Sequence, residues 1–245
     1  MKRIIIPFAL VATLLFVGCK DDDQNTEVIK TPKTISSVYG AVNLSYNTSG
    51  QLIKVTDKDS DDEYTETVFT YDSSGKVTKF VTIYHEDDDV ETYSYNITYP
   101  SANQARVIDE SNDYIIVNFD AKGQAISFND LGDVTNFTYD DRGNIVKITD
   151  NVSTVTASYN NDKGILSGIN SPKWILLLTD MDLFYYAANN PVSINSVYQN
   201  GEQIYTDSET YTYPAEHIVD GYPTRMSVDY NNGSSSYNEL YTISY

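Results

Sequence analysis

The sequence contains a single Cys, a single Trp and only two His among its 245 residues. One Cys excludes an intramolecular disulfide framework and the zinc sites that are built from several thiolates. Two His leave little material for histidine-based metal or acid–base chemistry. Basic residues are also scarce: 16 Lys and Arg stand against 35 Asp and Glu, a formal net charge of −19. This balance argues against binding to nucleic acid and against an electrostatic hold on anionic lipid, since both require clustered Lys and Arg.

The N-terminus carries a secretion signal. Lys2 and Arg3 precede an apolar run over residues 4–17, and Gly18 and Cys19 follow it. A basic start, a short apolar run and small residues at the cleavage site are typical of a secretory signal. The run is too short for a transmembrane helix. We therefore predict that residues 1–18 are removed as a signal peptide.

Residues 16–19 read Phe-Val-Gly-Cys and resemble the lipobox of bacterial lipoproteins. The resemblance implies that a diacylglycerol is attached to Cys19, whereas the alternative is a plain signal peptide with an accidental Cys. The next residues resemble the surface-export signal of lipoproteins in Bacteroidota, or else begin a solvated linker: Lys20, Asp21, Asp22 and Asp23. Together these features imply a lipoprotein on the outer membrane of a Gram-negative bacterium, exposed at the cell surface. Residues 19–34 are predicted to be a flexible acidic tether, and residues 35–245 a single β-rich domain.

A short motif recurs in that domain: an aromatic residue, Asp or Asn, two or three variable residues, and Gly. Its copies lie at residues 46–50, 71–75, 119–123, 139–143 and 159–164. Asp or Asn starts a turn by binding its own backbone, and Gly takes a backbone conformation with φ > 0. Apolar residues alternate with polar ones on both sides of each motif, which indicates strands. We therefore predict an all-β fold, an up-and-down antiparallel hairpin array of about ten to twelve strands, which forms a curled sheet or a porin-like barrel.

One segment departs from the strand pattern. Ser171 and Pro172 have the character of a helix start, and apolar residues then follow at helical spacing until Asn189. The sequence therefore predicts one short apolar helix at about 172–188. An exposed helix of this composition would favour aggregation, so we expect it to pack into the concave face of the sheet.

The aromatic-Asp-x-x-Gly motifs resemble the YD repeats of Rhs and teneurin proteins, although they are far fewer. Combined with the lipoprotein signal and the late apolar segment, they resemble a Bacteroidota family of secreted proteins of unknown function. That resemblance implies a porin-like fold and a location, and it supplies no chemistry.

Acidic residues crowd into the connections that alternate with the Gly turns. Sixteen of the 35 acidic residues lie in five such loops, at residues 57–63, 85–91, 109–113, 129–133 and 150–153. In an up-and-down array these loops share one end, which predicts a strongly negative rim. The start Asp57-x-Asp59-x-Asp61 offers a weak calcium site, although the Gly and Glu that complete an EF-hand loop are missing. The alternative is a solvated acidic hairpin tip.

Tyr is the residue in excess, with 22 copies. Tyr rings stack on sugar rings, but Tyr also suits a half-buried pleated surface. No catalytic or phosphate-binding motif occurs, so we expect no enzymatic activity and no cofactor apart from the calcium candidate. The main hypothesis is an anchored, non-catalytic binding or scaffold module for a glycan or a surface protein. The alternatives are an integral outer-membrane β-barrel and a glycan-active enzyme.

Overall fold

The structure is a computed structural model, and it describes residues 28–60, 62–179, 187–201 and 203–245. Strands account for 62% of it. Some residues of the predicted sites lie outside the described ranges: Cys19, Lys20, Asp21, Asp22, Asp23 and Asp61.

Eighteen strands are defined in these ranges. They are β1 (Thr34–Ser36), β2 (Ala41–Tyr46), β3 (Leu52–Lys58), β4 (Glu63–Tyr71), β5 (Val77–Glu86), β6 (Asp89–Ser101), β7 (Gln104–Ile108), β8 (Tyr114–Phe119), β9 (Ala125–Asp130), β10 (Asp133–Tyr139), β11 (Ile145–Thr149), β12 (Ser153–Lys163), β13 (Asn189–Asn200), β14 (Gln203–Thr212), β15 (Ile218–Val219), β16 (Tyr222–Pro223), β17 (Arg225–Asn231) and β18 (Ser236–Ser244).

Sixteen of the strands close a single antiparallel barrel, and β15 and β16 form a separate two-stranded sheet. Every barrel strand pairs with its neighbour along the sequence, except where β14 pairs with β17 across the small sheet. The barrel closes between its ends in the sequence, where Ile35 of β1 lies opposite Ile243 of β18. The predicted up-and-down all-β fold is confirmed, as a closed barrel rather than an open curled sheet.

The barrel has more strands than the ten to twelve that the sequence predicted. Three of them, β1, β7 and β11, are only three to five residues long. Strands this short show too little alternation to be recognised. Others, such as β14 and β17, lie after the last aromatic-Asp-x-x-Gly motif and are not marked by it.

Four of the five motif copies make the turn that was predicted from them. The copy at 159–164 does not, because residues 159–163 belong to strand β12 and Gly164 does not adopt a positive φ. In the copy at 139–143, Oδ1 of Asp140 accepts hydrogen bonds from the backbone N–H groups of Arg142 (3.0 Å) and Asn144 (2.9 Å). Gly143 has φ +90°, a conformation that other residues adopt only with strain. Asn47, Asp72 and Asp120 accept equivalent pairs of bonds in their own copies.

The predicted helix at 172–188 is realised only in part. Ser171 and Pro172 do precede a helix, but it is a 3₁₀ helix that spans Lys173–Leu178, and residues 180–186 lie outside the described ranges. Three consecutive side chains, Trp174, Ile175 and Leu176, are all buried. The apolar positions therefore do not mark one face of an α-helix. They reflect a segment that is surrounded by protein, and we call residues 164–179 the plug.

The plug lies inside the barrel, because it contacts strands from widely separated parts of the wall. Trp174 packs edge-on against Phe119 of β8 with ring centroids 5.4 Å apart. The Ser171 hydroxyl accepts a 2.8 Å hydrogen bond from the N–H of Leu52 on β3 and lies 3.0 Å from the Tyr71 hydroxyl on β4. Only the interior of a closed barrel gives one segment access to all these strands. The apolar face of the wall is therefore its inner face.

Candidate functional site

The two ends of the barrel differ in chemistry, as predicted. The motif turns at 47–50, 72–75, 120–123 and 140–143 lie at one end, beside the plug, and we call it the closed end. The acidic connections lie at the other, which we call the open end. Inward-facing side chains are buried near the closed end and more exposed near the open end. On β18, Ile243 near the closed end is 3% exposed, whereas Tyr237 near the open end is 54% exposed.

Inward-facing side chains at the open end thus border a solvent-accessible space inside the barrel, which we call the mouth. Register assigns these positions, because a residue directly opposite an inward-facing core residue faces inward too. Tyr95 lies opposite the buried Phe80, and Tyr93 and Glu91 follow at alternate positions toward the rim. Tyr84 and Tyr93 are nevertheless 37% and 46% exposed. The mouth is therefore open to solvent, and residues of the plug lie at its base.

One wall of the mouth is aromatic and lies on β5 and β6. Tyr95 stacks on Phe80 with centroids 4.5 Å apart, and Tyr84 meets Tyr93 edge-on at 5.7 Å. The Tyr93 hydroxyl donates a 2.8 Å hydrogen bond to Glu91, and the carboxylate raises the pKa of Tyr93. Below these rings is a cavity of about 200 Å³, whose lining includes Asp57, Thr65 and Thr82 and whose floor is Leu178 and Thr179 of the plug.

A second wall combines carboxylates with Tyr and lies on β14, β17 and β18. A cavity of about 300 Å³ is lined there by Asp207, Glu209, Tyr230 and Tyr237. The rings of Tyr230 and Tyr237 stack with centroids 4.7 Å apart. Glu209 accepts a hydrogen bond from the Tyr211 hydroxyl. Burial raises the pKa of Glu209, and the nearby Asp207 raises it further, although the bond from Tyr211 opposes them.

Charge is distributed unevenly between the mouth and the rest of the barrel. Within the described ranges, no Lys or Arg occupies an inward-facing strand position at the open end. On the strands, basic side chains such as Lys54, Lys79 and Arg106 face outward, and Lys54 forms an ion pair with the outward-facing Glu66. The charged side chains that the described strands direct into the mouth are therefore carboxylates, so its potential is negative.

Tyr at the closed end has a different role from Tyr in the mouth. Six of these hydroxyls donate hydrogen bonds of 2.6–3.0 Å to backbone carbonyl groups: Tyr46 to Pro32, Tyr71 to Leu52, Tyr99 to Val77, Tyr139 to Ala125, Tyr159 to Ile145 and Tyr245 to Pro223. Burial raises the pKa of Tyr99 to about 12. These residues stabilise the wall, whereas the Tyr residues of the mouth are accessible to a ligand.

The calcium candidate is only partly within the described chain. Asp57 faces the interior from β3 and lines the smaller cavity of the mouth, and Asp59 lies in the β3–β4 connection, where its N–H bonds the carbonyl of Glu63. In the described ranges, no three His, Cys, Asp or Glu side chains are grouped closely enough to hold a metal ion. Since Asp61 lies outside those ranges, the three-residue site stays a prediction.

His85 does not contribute to the mouth. It faces outward from β5, where its ring stacks on Tyr64 with centroids 4.0 Å apart. The sequence did not identify Tyr84, Asp207 and Glu209 as members of one site. Their strands are far apart in the sequence, and only closure of the barrel brings them to a common interior.

The closed barrel is consistent with an outer-membrane location, and as a fold it suits the integral-barrel alternative more directly than the anchored module. None of the helices in the described ranges has the length and apolar character needed to cross a lipid bilayer. No protein-family model matches the chain, and no curated protein matches it. Among solved structures, the chain is similar to a porin-like protein from Bacteroides uniformis, with 14% identity and a TM-score of 0.40. The match covers 89% of this chain and 98% of that one.

Proposed function

We propose that the protein is a lipid-anchored, water-exposed binding barrel that captures a neutral polyhydroxylated ligand, a glycan segment, in its mouth. The observation that carries this proposal is the combination of stacked, exposed Tyr rings and carboxylates around a solvent-accessible cavity. Tyr faces pack on sugar rings, and carboxylate oxygens accept hydrogen bonds from sugar hydroxyls. Neutral glycans suit a site of this charge better than phosphorylated or sulfated ones, which the negative potential would repel.

The outward face of the barrel supports exposure to water rather than to lipid. Its strand positions carry mainly hydroxyl and amide side chains: Thr92, Asn96 and Thr98 on β6, Thr154, Thr156 and Ser158 on β12, Thr206, Ser208, Thr210 and Thr212 on β14, and Asn238, Thr242 and Ser244 on β18. A lipid-facing barrel needs an outward apolar band about 25 Å tall. Here the apolar band faces inward, against the plug, so the polarity is the reverse of that required in a bilayer.

Charged residues on the outer face also favour exposure to water over exposure to lipid. Glu66, Lys79 and Lys147 face outward, where a lipid-facing wall would tolerate a charge badly. Glu209 and Glu239 face inward and do not bear on the question.

The position of the N-terminal segment supports an orientation. Lys33 donates its N–H to the carbonyl of Ser244 at the closed end, and Lys30 pairs with Asp220 in the same region at 2.9 Å. A tether between Cys19 and residue 28 spans at most roughly 30 Å. A lipid on Cys19 would therefore hold the closed end toward the membrane and direct the mouth away from it.

The integral outer-membrane barrel remains the second candidate function, favoured by the closed sixteen-stranded wall. Solubility distinguishes the two. We expect the chain expressed without residues 1–19 to be monodisperse in buffer without detergent. A requirement for detergent, or spontaneous insertion into vesicles, would overturn the anchored module in favour of the integral barrel.

A glycan array followed by calorimetry tests the ligand. We expect binding of neutral glycans that falls at least tenfold in Tyr84→Ala and Tyr237→Ala and is unchanged in Tyr64→Ala, which alters an outward-facing Tyr on β4. Retention of full affinity in both mouth variants would refute the site. If neutral glycans give no signal at all, the exposed apolar tips Val38, Leu131 and Val152 make a surface protein the better ligand.

The barrel is proposed as non-catalytic. Glu209 is the titratable carboxyl of the mouth whose pKa is raised, as a general acid would require. Its hydrogen bond from Tyr211, on the same strand, gives it a structural partner instead. Release of reducing sugar from any glycan that the mouth binds would contradict this assignment.

A further inference from the structure

A third cavity lies at the closed end, apart from the two in the mouth, and its location makes it independent of the proposed function. Its volume is about 220 Å³, and it is bounded by the motif turns that contain Gly123 and Gly143 and by the plug. An added Cβ on Gly123 would meet no atom within 4 Å. The turn is therefore open on that side.

The lining of this cavity is mainly apolar and aromatic. Trp174 of the plug and Tyr139 of β10 supply rings, and Ala125, Ile145 and Leu177 supply aliphatic surface. The Tyr139 hydroxyl is already engaged, since it donates to the carbonyl of Ala125. Two lining side chains are polar: the neutral amide of Gln124, and Lys173, the first residue of the 3₁₀ helix.

Lys173 has no compensating group in the described chain. Among the described residues, no carboxylate lies within ion-pair distance of its amine and no acceptor lies within hydrogen-bond distance. Partial burial lowers the pKa of Lys173 to about 8, so at neutral pH the amine is charged in a largely apolar setting. A partly buried charge without a counter-ion is unfavourable, and an anion that entered the cavity would remove part of that cost.

The size of the cavity limits what can enter. An apolar cavity of roughly 150 Å³ holds a benzene molecule, so about 220 Å³ accommodates one ring with a short side chain. We propose that the closed-end cavity binds a small single-ring aromatic carboxylate, with the ring between Trp174 and Tyr139 and the carboxylate on Lys173.

Trp174 is the sole Trp of the chain, and it lines the cavity, so its fluorescence reports occupancy directly. The probes are 3-phenylpropanoate and its neutral counterpart 3-phenylpropanamide, titrated into the purified protein at pH 7. We expect a saturable change in Trp174 fluorescence with the acid, at an affinity at least tenfold higher than with the amide.

Two lysine variants separate the proposed contact from general charge effects. Lys173→Met should abolish the preference for the acid and leave weak binding of both probes by the apolar walls. Lys122→Met removes an exposed lysine from the neighbouring turn and should keep the tenfold preference. If Lys173→Met folds poorly, Lys173→Gln gives the same comparison with a polar side chain.

A third variant tests the location. Ala125→Leu fills the cavity and should abolish binding of both probes. The proposal is overturned if the acid gives no saturable change up to about 10 mM. It is equally overturned if acid and amide bind alike, if Lys173→Met keeps the preference, or if Ala125→Leu binds as the unaltered protein does.

Discussion

The hydroxyl of Tyr139 donates a 2.8 Å hydrogen bond to the backbone carbonyl of Ala125, two residues after the turn glycine Gly123 of the preceding motif. Tyr71 and Leu52 are related in the same way, with Leu52 two residues after Gly50. The aromatic residue of one motif thus ties its strand to the start of another hairpin. This bond gives the motif a role in the barrel wall in addition to its turn.

Tyr139→Phe should destabilise the protein, because it leaves the carbonyl of Ala125 without its partner in a buried setting. The expected loss is about 1–3 kcal/mol, a fall in Tm of roughly 2–10 °C for a chain of this size. Tyr39→Phe, which alters an exposed ring, is the matched control and should change Tm by less than about 2 °C. Equal Tm values for the two variants would show that the Tyr139 bond adds nothing.

Leu176→Ala and Leu240→Ala test whether apolar packing inside the barrel, rather than on its outer face, stabilises the fold. Leu176 of the plug is 0% exposed and Leu240 on the outer face is 43% exposed. We expect Leu176→Ala to cost about 2–5 kcal/mol and Leu240→Ala less than about 1 kcal/mol, measured by urea unfolding in buffer. A large cost at Leu240 would mean that the outer face is packed against something other than water.

Lys173→Met should stabilise the protein at neutral pH and below. A drop in the pKa of Lys173 from 10.5 in the unfolded chain to about 8 in the barrel means that the unfolded state binds the proton more tightly. The penalty is absent above pH 10.5, grows as pH falls to about 8, and is constant below that. The gain from Lys173→Met should therefore be about 1–3 kcal/mol at pH 7 and should disappear near pH 11.

Thermal unfolding of Lys173→Met between pH 6 and 11 measures this dependence, with Lys122→Met as the control. The other titratable group that lines the cavity is Tyr139, whose pKa burial raises above its ordinary value, so it stays protonated over most of that range. A gain that does not vary with pH would indicate that improved apolar packing, rather than loss of the charge, stabilises the variant.

Asp72→Asn should remove one contribution to acid sensitivity. The Ser74 hydroxyl and the N–H groups of Lys76 and Ser74 donate to Asp72 and lower its pKa below the ordinary 3.8. A carboxyl with a lowered pKa stabilises the fold above pH 3.8, and this contribution is lost as pH falls through the lowered value. Tm of Asp72→Asn should therefore decline less between pH 4 and pH 2 than Tm of the unaltered protein.

The chain supplies its own comparison for this experiment. Asn47 occupies the equivalent turn position in the first motif and makes the same pair of backbone hydrogen bonds without a charge. Asn47→Asp should add acid sensitivity where Asp72→Asn removes it. Parallel Tm curves for all three proteins would disprove the role of the turn carboxylates.

The sequence by itself determined the local structure of the barrel and the chemistry of its two ends. Asp140 and Gly143 specify a turn through contacts within a few residues, and Tyr93 and Tyr95 alternate because a strand has period two. Such signals depend on neighbours in the chain, so they can be read without the fold. The separation of Gly turns from acidic loops then followed from up-and-down order alone.

Only the tertiary structure decided whether the sheet closes, what conformation the plug adopts and which residues line each cavity. Closure depends on the pairing of Ile35 with Ile243, which are more than 200 residues apart. Trp174, Ile175 and Leu176 are buried on all sides because the wall surrounds them, and helical periodicity cannot express that. The lowered pKa of Lys173 likewise depends on the fold, because the mainly apolar side chains around its amine come from strands that are distant in the sequence.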